Sequence, residues 1–100
     1  MTRSAVVAED AQNDIREARR WYESEGGPRL DARFVRAVEA SLARMERFPQ
    51  IHPEVHGHLR RALVKPFPYM LLYEIGDPEL VVHRCIHVSR GPMRWRQHLG

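Results

Sequence analysis

Apolar positions in the first half of the chain recur at helical spacing. Ala8, Ala11, Ile15, Ala18 and Tyr22 stand three or four residues apart and line one helix face, while Asp14, Arg16, Glu17 and Arg20 fall outside the stripe. Ser24, Glu25, Gly26, Gly27 and Pro28 interrupt it, glycine being suited to end one helix and proline to open the next. A second stripe of Leu30, Phe34, Val38, Leu42 (or Ala37 and Ser41), Met45 and Phe48 then runs to Pro49. The spacing predicts two helices joined by a short turn, an antiparallel hairpin with one apolar side.

After Pro49 the period changes. Pro53, Gly57, His52, His56 and His58 give residues 49–58 the composition of a loop. Leu59 to Lys65 and Phe67 to Ile75 read as strands, Gly76, Asp77, Pro78 and Glu79 as a turn, and Leu80 to Val88 as a third strand. Ser4 to Ala8 supplies one more short strand. Alternation puts Tyr69, Leu71, Tyr73 and Ile75 on one sheet face, and separates His83, Cys85 and His87 from Arg84, Ile86 and Val88. The helical stripe needs an apolar partner, and the sheet offers one. The expected fold is therefore α+β, with an N-terminal helical hairpin packed on one face of a small antiparallel sheet. Residues 1–100 form a single domain.

Charge adds asymmetry. The net charge is +3, and residues 1–50 carry 9 basic and 9 acidic side chains whereas residues 51–100 carry 7 and 4. After Leu80, Arg84, Arg90, Arg94 and Arg96 meet no acidic residue, a distribution suited to a polyanion or an acidic protein surface. The single cysteine, Cys85, excludes a disulfide framework and fits a reducing cytoplasm. No apolar run matches a signal-peptide core or a membrane span. His56 and His58 stand two apart in the expected loop, His83 and His87 four apart in a strand, where the spacing is too wide for easy shared ligation, and only one cysteine could help, so no metal and no cofactor are expected. No glycine-rich phosphate loop follows a strand.

The order of motifs resembles the RelE/ParE superfamily of toxins from bacterial type II toxin-antitoxin systems, in its ParE-like, plasmid-stabilisation branch. The residues that carry the resemblance begin with Ala11, Asp14, Ile15, Trp21, Tyr22 and Glu23, followed by Phe34 and Val38 to Leu42. Phe48, Pro49, Pro53, Arg60, Arg61, Phe67, Pro68, Tyr69 and Tyr73 continue the series. It closes on His87, Arg90, Pro92 and Trp95, similar to the family's His-x-x-Arg-x-Pro-x-x-Trp. The resemblance implies a bacterial cytoplasmic toxin held inactive by a cognate antitoxin. That antitoxin's C-terminal segment packs on the helical hairpin, with Ile15, Tyr22, Phe34 and Val38 as contacts, and adds to the sheet.

Two mechanisms share this fold. ParE-like members poison DNA gyrase, and RelE-like members cut messenger RNA on the ribosome; a degenerate member would bind its partner and poison nothing. A metal-independent nuclease must activate a 2′-hydroxyl and stabilise phosphate charge, for which Arg61, His87 and Arg90 are the candidates. The stretch before Tyr73, where RelE-like nucleases commonly carry a catalytic arginine, reads Met70, Leu71 and Leu72. The reading therefore favours the gyrase-binding branch without a catalytic site. Arg61, Lys65, Arg84, Arg90 and Trp95 become the residues expected to meet the target.

Overall fold

The computed structural model describes residues 3–90, and of Arg90 the backbone alone. In chain order the elements are β1 (Ala5–Val7), α1 (Glu9–Arg47), β2 (Glu54–His56), β3 (Leu59–Leu63), β4 (Tyr69–Ile75), β5 (Leu80–His87) and a 3-10 turn (Val88–Arg90). The five strands form one sheet in the order β1-β5-β4-β3-β2.

The helical region departs from expectation. Where the sequence predicts two helices parted by a turn, helical residues run without a gap from Glu9 to Arg47 as one long element, with Gly27 alone outside helical angles (φ 77°, ψ −172°). A straight helix of 39 residues would measure about 58 Å, yet the longest extent of the molecule is 38 Å. The element is therefore sharply bent at Gly27. Across the bend Arg19 donates to both Asp31 oxygens at 2.8 and 3.1 Å, and the rings of Tyr22 and Phe34 lie 5.1 Å apart. Only glycine adopts the angles at position 27 readily, and Pro28 keeps its predecessor out of the helical region.

The sheet is mixed, not purely antiparallel. β1 has no hairpin neighbour, and it pairs parallel to β5 through Ala5↔Leu80, Val6↔Val81 and Val7↔Val82. Bonds from Leu80 N–H to the Ser4 carbonyl and from Ala8 N–H to the Val82 carbonyl, both 2.9 Å, fix its ends. β2 arises inside the segment expected to be loop, pairs antiparallel with β3, and turns at Gly57 (φ 58°). The loop before it is held by side chains: the Tyr73 hydroxyl donates to the Pro49 carbonyl at 2.5 Å and Arg60 donates to the His52 carbonyl at 2.7 Å.

Between α1 and the sheet lies the main core. Ala11, Ala18, Tyr22, Phe34, Val38 and Met45 of α1 meet Ala62, Val64, Leu71, Tyr73, Leu80, Val82 and Cys85. Tyr69 and Ile75 pack against the same cluster, as strand alternation predicts. Of the alternatives in the second stripe, Ser41 is the buried position and Leu42 is only partly covered. On the opposite sheet face Met70, Leu72 and Ile86 form a smaller cluster with Val55 and Leu59 against it.

β5 carries an irregularity that alternation does not anticipate. Leu72 faces Arg84, but Tyr73 faces Val82, so His83 is an extra residue bulged out of register. Leu80 and Val82 point toward α1 before the bulge and Cys85 after it, while Arg84 sits where the pattern resets.

Candidate functional site

β3 outlasts its outer neighbour. β2 pairs only with Leu59 and Arg60, so among the described residues the rest of β3 presents an edge without a strand partner. Val64 N–H donates to the Tyr69 carbonyl at 2.9 Å, which turns Arg60, Ala62 and Val64 toward β4 and the backbone groups of Arg61 and Leu63 outward. Outside, Arg61 N–H reaches the Pro53 carbonyl at 3.1 Å, but proline has no N–H to return. The Leu63 carbonyl receives a long contact of 3.4 Å from the Ser41 hydroxyl.

Along this edge runs a groove of about 180 Å³ lined by Arg44, His52, Pro53, Arg61, Leu63 and Lys65. Three of those side chains are permanent cations, and no carboxylate is among them. Leu63 is 38% exposed, an apolar foothold beside the charges. The groove therefore combines unpaired strand backbone, positive charge and one aliphatic side chain, the features that receive an extended acidic segment.

One wall of the groove is braced from the core. With the Tyr73 phenol proton given to Pro49, the 3.0 Å contact from His52 Nδ1 to the Tyr73 oxygen assigns a ring proton to Nδ1. Burial, and after it the cations of Arg44 and Arg60, pull the His52 pKa below its ordinary value. Burial likewise raises the Tyr73 hydroxyl.

Arg84 is engaged elsewhere. Its Nε and Nη2 fork onto Asp14 of α1 at 2.7 and 3.1 Å, and the same carboxylate accepts the Cys85 N–H at 3.0 Å. This hydrogen bond to Asp14 raises the guanidinium pKa. Desolvation, and after it the Asp14 charge, push the Cys85 thiol up to about 12, which makes it unreactive. The bulge and the edge position of Asp14 bring Arg84 to the helix instead of leaving it on the open sheet face.

Arg61 and His87 do not come together. His87 stands opposite Tyr69 with ring centroids 5.2 Å apart, and Tyr69 packs on the α1 side against Tyr22 and Phe34. Arg61 is paired with Leu72, a member of the opposite-face cluster. The two are also offset by two strands and three residues, about 10 Å in each direction. The side chain of Arg90 and the whole of Trp95 lie outside the described residues.

Ile15, Tyr22, Phe34 and Val38 face inward. Tyr22, Phe34 and Val38 are 7%, 0% and 5% exposed, and Ile15 packs against the same core. Arg61 and Lys65 are exposed and border the β3 groove. Sequence reasoning did not bring Arg44, His52, Ser41 or Leu63 to this site. One signal was available: Arg61, Leu63 and Lys65 alternate at strand spacing, so a single face or edge had to carry all three.

Comparison with known proteins agrees with this architecture. Residues 6–95 match the family model described as ParE toxin of type II toxin-antitoxin system, parDE. Among solved structures, the chain is similar to one described as the chromosomal ParDE TA system from P. aeruginosa. The TM-score is 0.66 at 15% sequence identity, over 86% of this chain and 96% of that one, a likeness of fold. No match was found among the curated proteins. The chain belongs to the ParE toxin family. No helix among the described residues is long and apolar enough to cross a membrane.

Proposed function

We propose that this chain, as a ParE-family toxin, acts by binding: it docks on DNA gyrase in the bacterial cytoplasm and poisons it, and a cognate antitoxin silences it. The observation that carries the reading is the company Arg61 keeps. Metal-free RNA cleavage needs a proton-transfer group and phosphate-binding cations converging on one atom. Arg61 and His87 occupy opposite sheet faces, and Met70, Leu71 and Leu72 bring no charge to the stretch before Tyr73. Arg61 instead shares its groove with Arg44 and Lys65 beside an unpaired strand edge. That arrangement supports a docking surface over an active site.

The same edge suits the antitoxin. A segment of it would add a strand to β3, satisfying the outward groups of Arg61 and Leu63, and acidic side chains flanking that strand would neutralise Arg44, Arg61 and Lys65. Since Tyr22, Phe34 and Val38 are enclosed, contact with α1 would be made through its outer face. An antitoxin seated there covers the cations offered to the target, and neutralisation follows from occupancy.

Expression of the chain alone, with soluble accumulation verified, is expected to arrest bacterial growth, and co-expression of the neighbouring antitoxin gene to restore it. Purified chain should inhibit gyrase supercoiling while leaving ribosome-bound messages intact. Codon-positioned message cleavage that disappears in His87→Ala would replace this reading with a RelE-type ribonuclease. Partner binding without growth arrest would leave a non-toxic binding protein.

A further inference from the structure

A second hollow lies on the α1 side, at the far end of β4 and β5. Trp21 is 57% exposed although it is the largest side chain of α1, and it meets Tyr22 edge-on at 5.2 Å without folding into the core. Opposite it, the cross-strand pair Tyr69 and His87 forms a T-shaped contact. A cleft of about 380 Å³ between these walls is lined by Trp21, Tyr22, Pro68, Tyr69, His87 and Ser89. Trp21, Tyr69 and His87 also border an adjoining hollow of about 160 Å³, whose further lining includes Asp14 and Glu17. The two hollows share Trp21, Tyr69 and His87 as lining and together make a trough with aromatic walls and an acidic end.

Its electrostatics are opposite to those of the β3 groove. Among the described residues no arginine or lysine lines either hollow, in a chain whose net charge is +3. Asp14 accepts the Arg84 fork, and exposed Glu17 makes no ion pair among the described residues. Aromatic faces attract a cation through their quadrupoles, and a carboxylate at the end of the trough adds direct charge. Between the biological cations, a planar guanidinium can stack on an indole and fork onto a carboxylate at once, whereas an ammonium acts as a compact, strongly hydrated point charge.

We propose that the Trp21, Tyr69 and His87 trough is a binding site for a guanidinium, filled by an arginine side chain presented by a partner protein, with Glu17 as its anionic contact. The site is distinct from the β3 edge and independent of whether the chain poisons gyrase. It gives the surface a polarity: acidic partner segments go to the groove and arginine goes to the trough.

The test is a titration of the full chain followed through the Trp21 indole N–H signal in nitrogen-15 NMR, assigned with Trp21→Phe. The probes are N-acetyl-arginine amide, the matching lysine amide and the matching citrulline amide, the last a neutral isostere of arginine. Arginine amide should give a saturable shift, with lysine weaker and citrulline at least tenfold weaker. Glu17→Gln, an exposed change that leaves the fold intact, should weaken arginine binding at least fivefold with no change in melting temperature. Absence of a saturable shift, or an equal response to citrulline, overturns the proposal. So does a wild-type chain that stays silent while an Arg94→Ala, Arg96→Ala variant responds, because the chain's own arginines would then occupy the trough.

Discussion

The two strands next to the sheet's edges, β5 and β3, each outlast a three-residue edge strand, and the molecule treats the two overhangs in opposite ways. Beyond β1, the edge of β5 is closed by Asp14, which accepts the Cys85 N–H and the forked guanidinium of Arg84. Beyond β2, the edge of β3 has, among the described residues, only the Arg61 N–H bond to the Pro53 carbonyl, a long hydroxyl contact at Leu63 and a border of cations. An unpaired edge is a standing template for another chain, and folded proteins usually cover or blunt it. Here α1 supplies a carboxylate to seal one overhang and Arg44 to flank the other. The sealed edge contributes stability, and the open edge is available for binding.

If that division is right, damage to the sealed edge should appear in stability. Asp14→Ala removes the fork and the acceptor for Cys85 N–H, and leaves Arg84, whose side chain is only 18% exposed, without its hydrogen-bonded counter-charge. We expect a loss of about 3 kcal/mol in urea denaturation, between the values for surface and fully buried pairs. A loss below about 0.5 kcal/mol, the level of an ordinary surface change, would mean that the edge is not sealed by this contact.

Smaller effects belong to the brace behind the open groove. Tyr73→Phe strips the Pro49 carbonyl and His52 of the phenol and should cost about 1–2 kcal/mol, measured in the same way. His52 adds a pH dependence whose sign follows from its lowered folded pKa. Its contribution is complete above the unfolded value of 6.5 and is lost as pH falls through 6.5 and then through the depressed folded value. Between 6.5 and the depressed folded value the wild-type denaturation midpoint should fall more steeply as pH is lowered than that of His52→Gln, which titrates no group there. Parallel slopes would detach His52 from the brace.

How much of this was legible in the sequence depends on how local each cause is. The helix stripes up to Met45, the three long strands and the inward face of Tyr69, Leu71, Tyr73 and Ile75 follow from period alone, and the structure has them, whereas Phe48, read as the end of the second stripe, is 49% exposed beyond α1. The break at Gly27 was marked by Gly-Pro, but its contraction to one non-helical residue was not. Arg84 was misplaced because its position depends on a bulge at His83 and on Asp14, 70 residues earlier in the chain. The parallel pairing of β1 has the same origin, since a three-residue strand carries no register of its own. In the groove, Arg61 and Lys65 were legible as exposed cations; Arg44 and His52 were not, because only the tertiary fold brings α1 and the 49–53 loop to β3.

The smallest expected effect on stability is also the sharpest test of the contrast. Arg61→Glu combined with Lys65→Glu reverses two exposed charges that form no ion pair among the described residues, so unfolding free energy should move by less than about 0.5 kcal/mol. Affinity should respond differently. Both side chains border the groove on the same edge as the outward backbone groups of Arg61 and Leu63, and an acidic strand seated there would meet repulsion where it now meets attraction. We expect antitoxin binding by calorimetry to weaken at least tenfold, equivalent to about 1.4 kcal/mol, with the loss becoming smaller at high salt as screening grows. Unchanged affinity at unchanged stability would show that the open edge is merely unpaired, and that the division between a sealed and a receptive overhang does not govern what this protein binds.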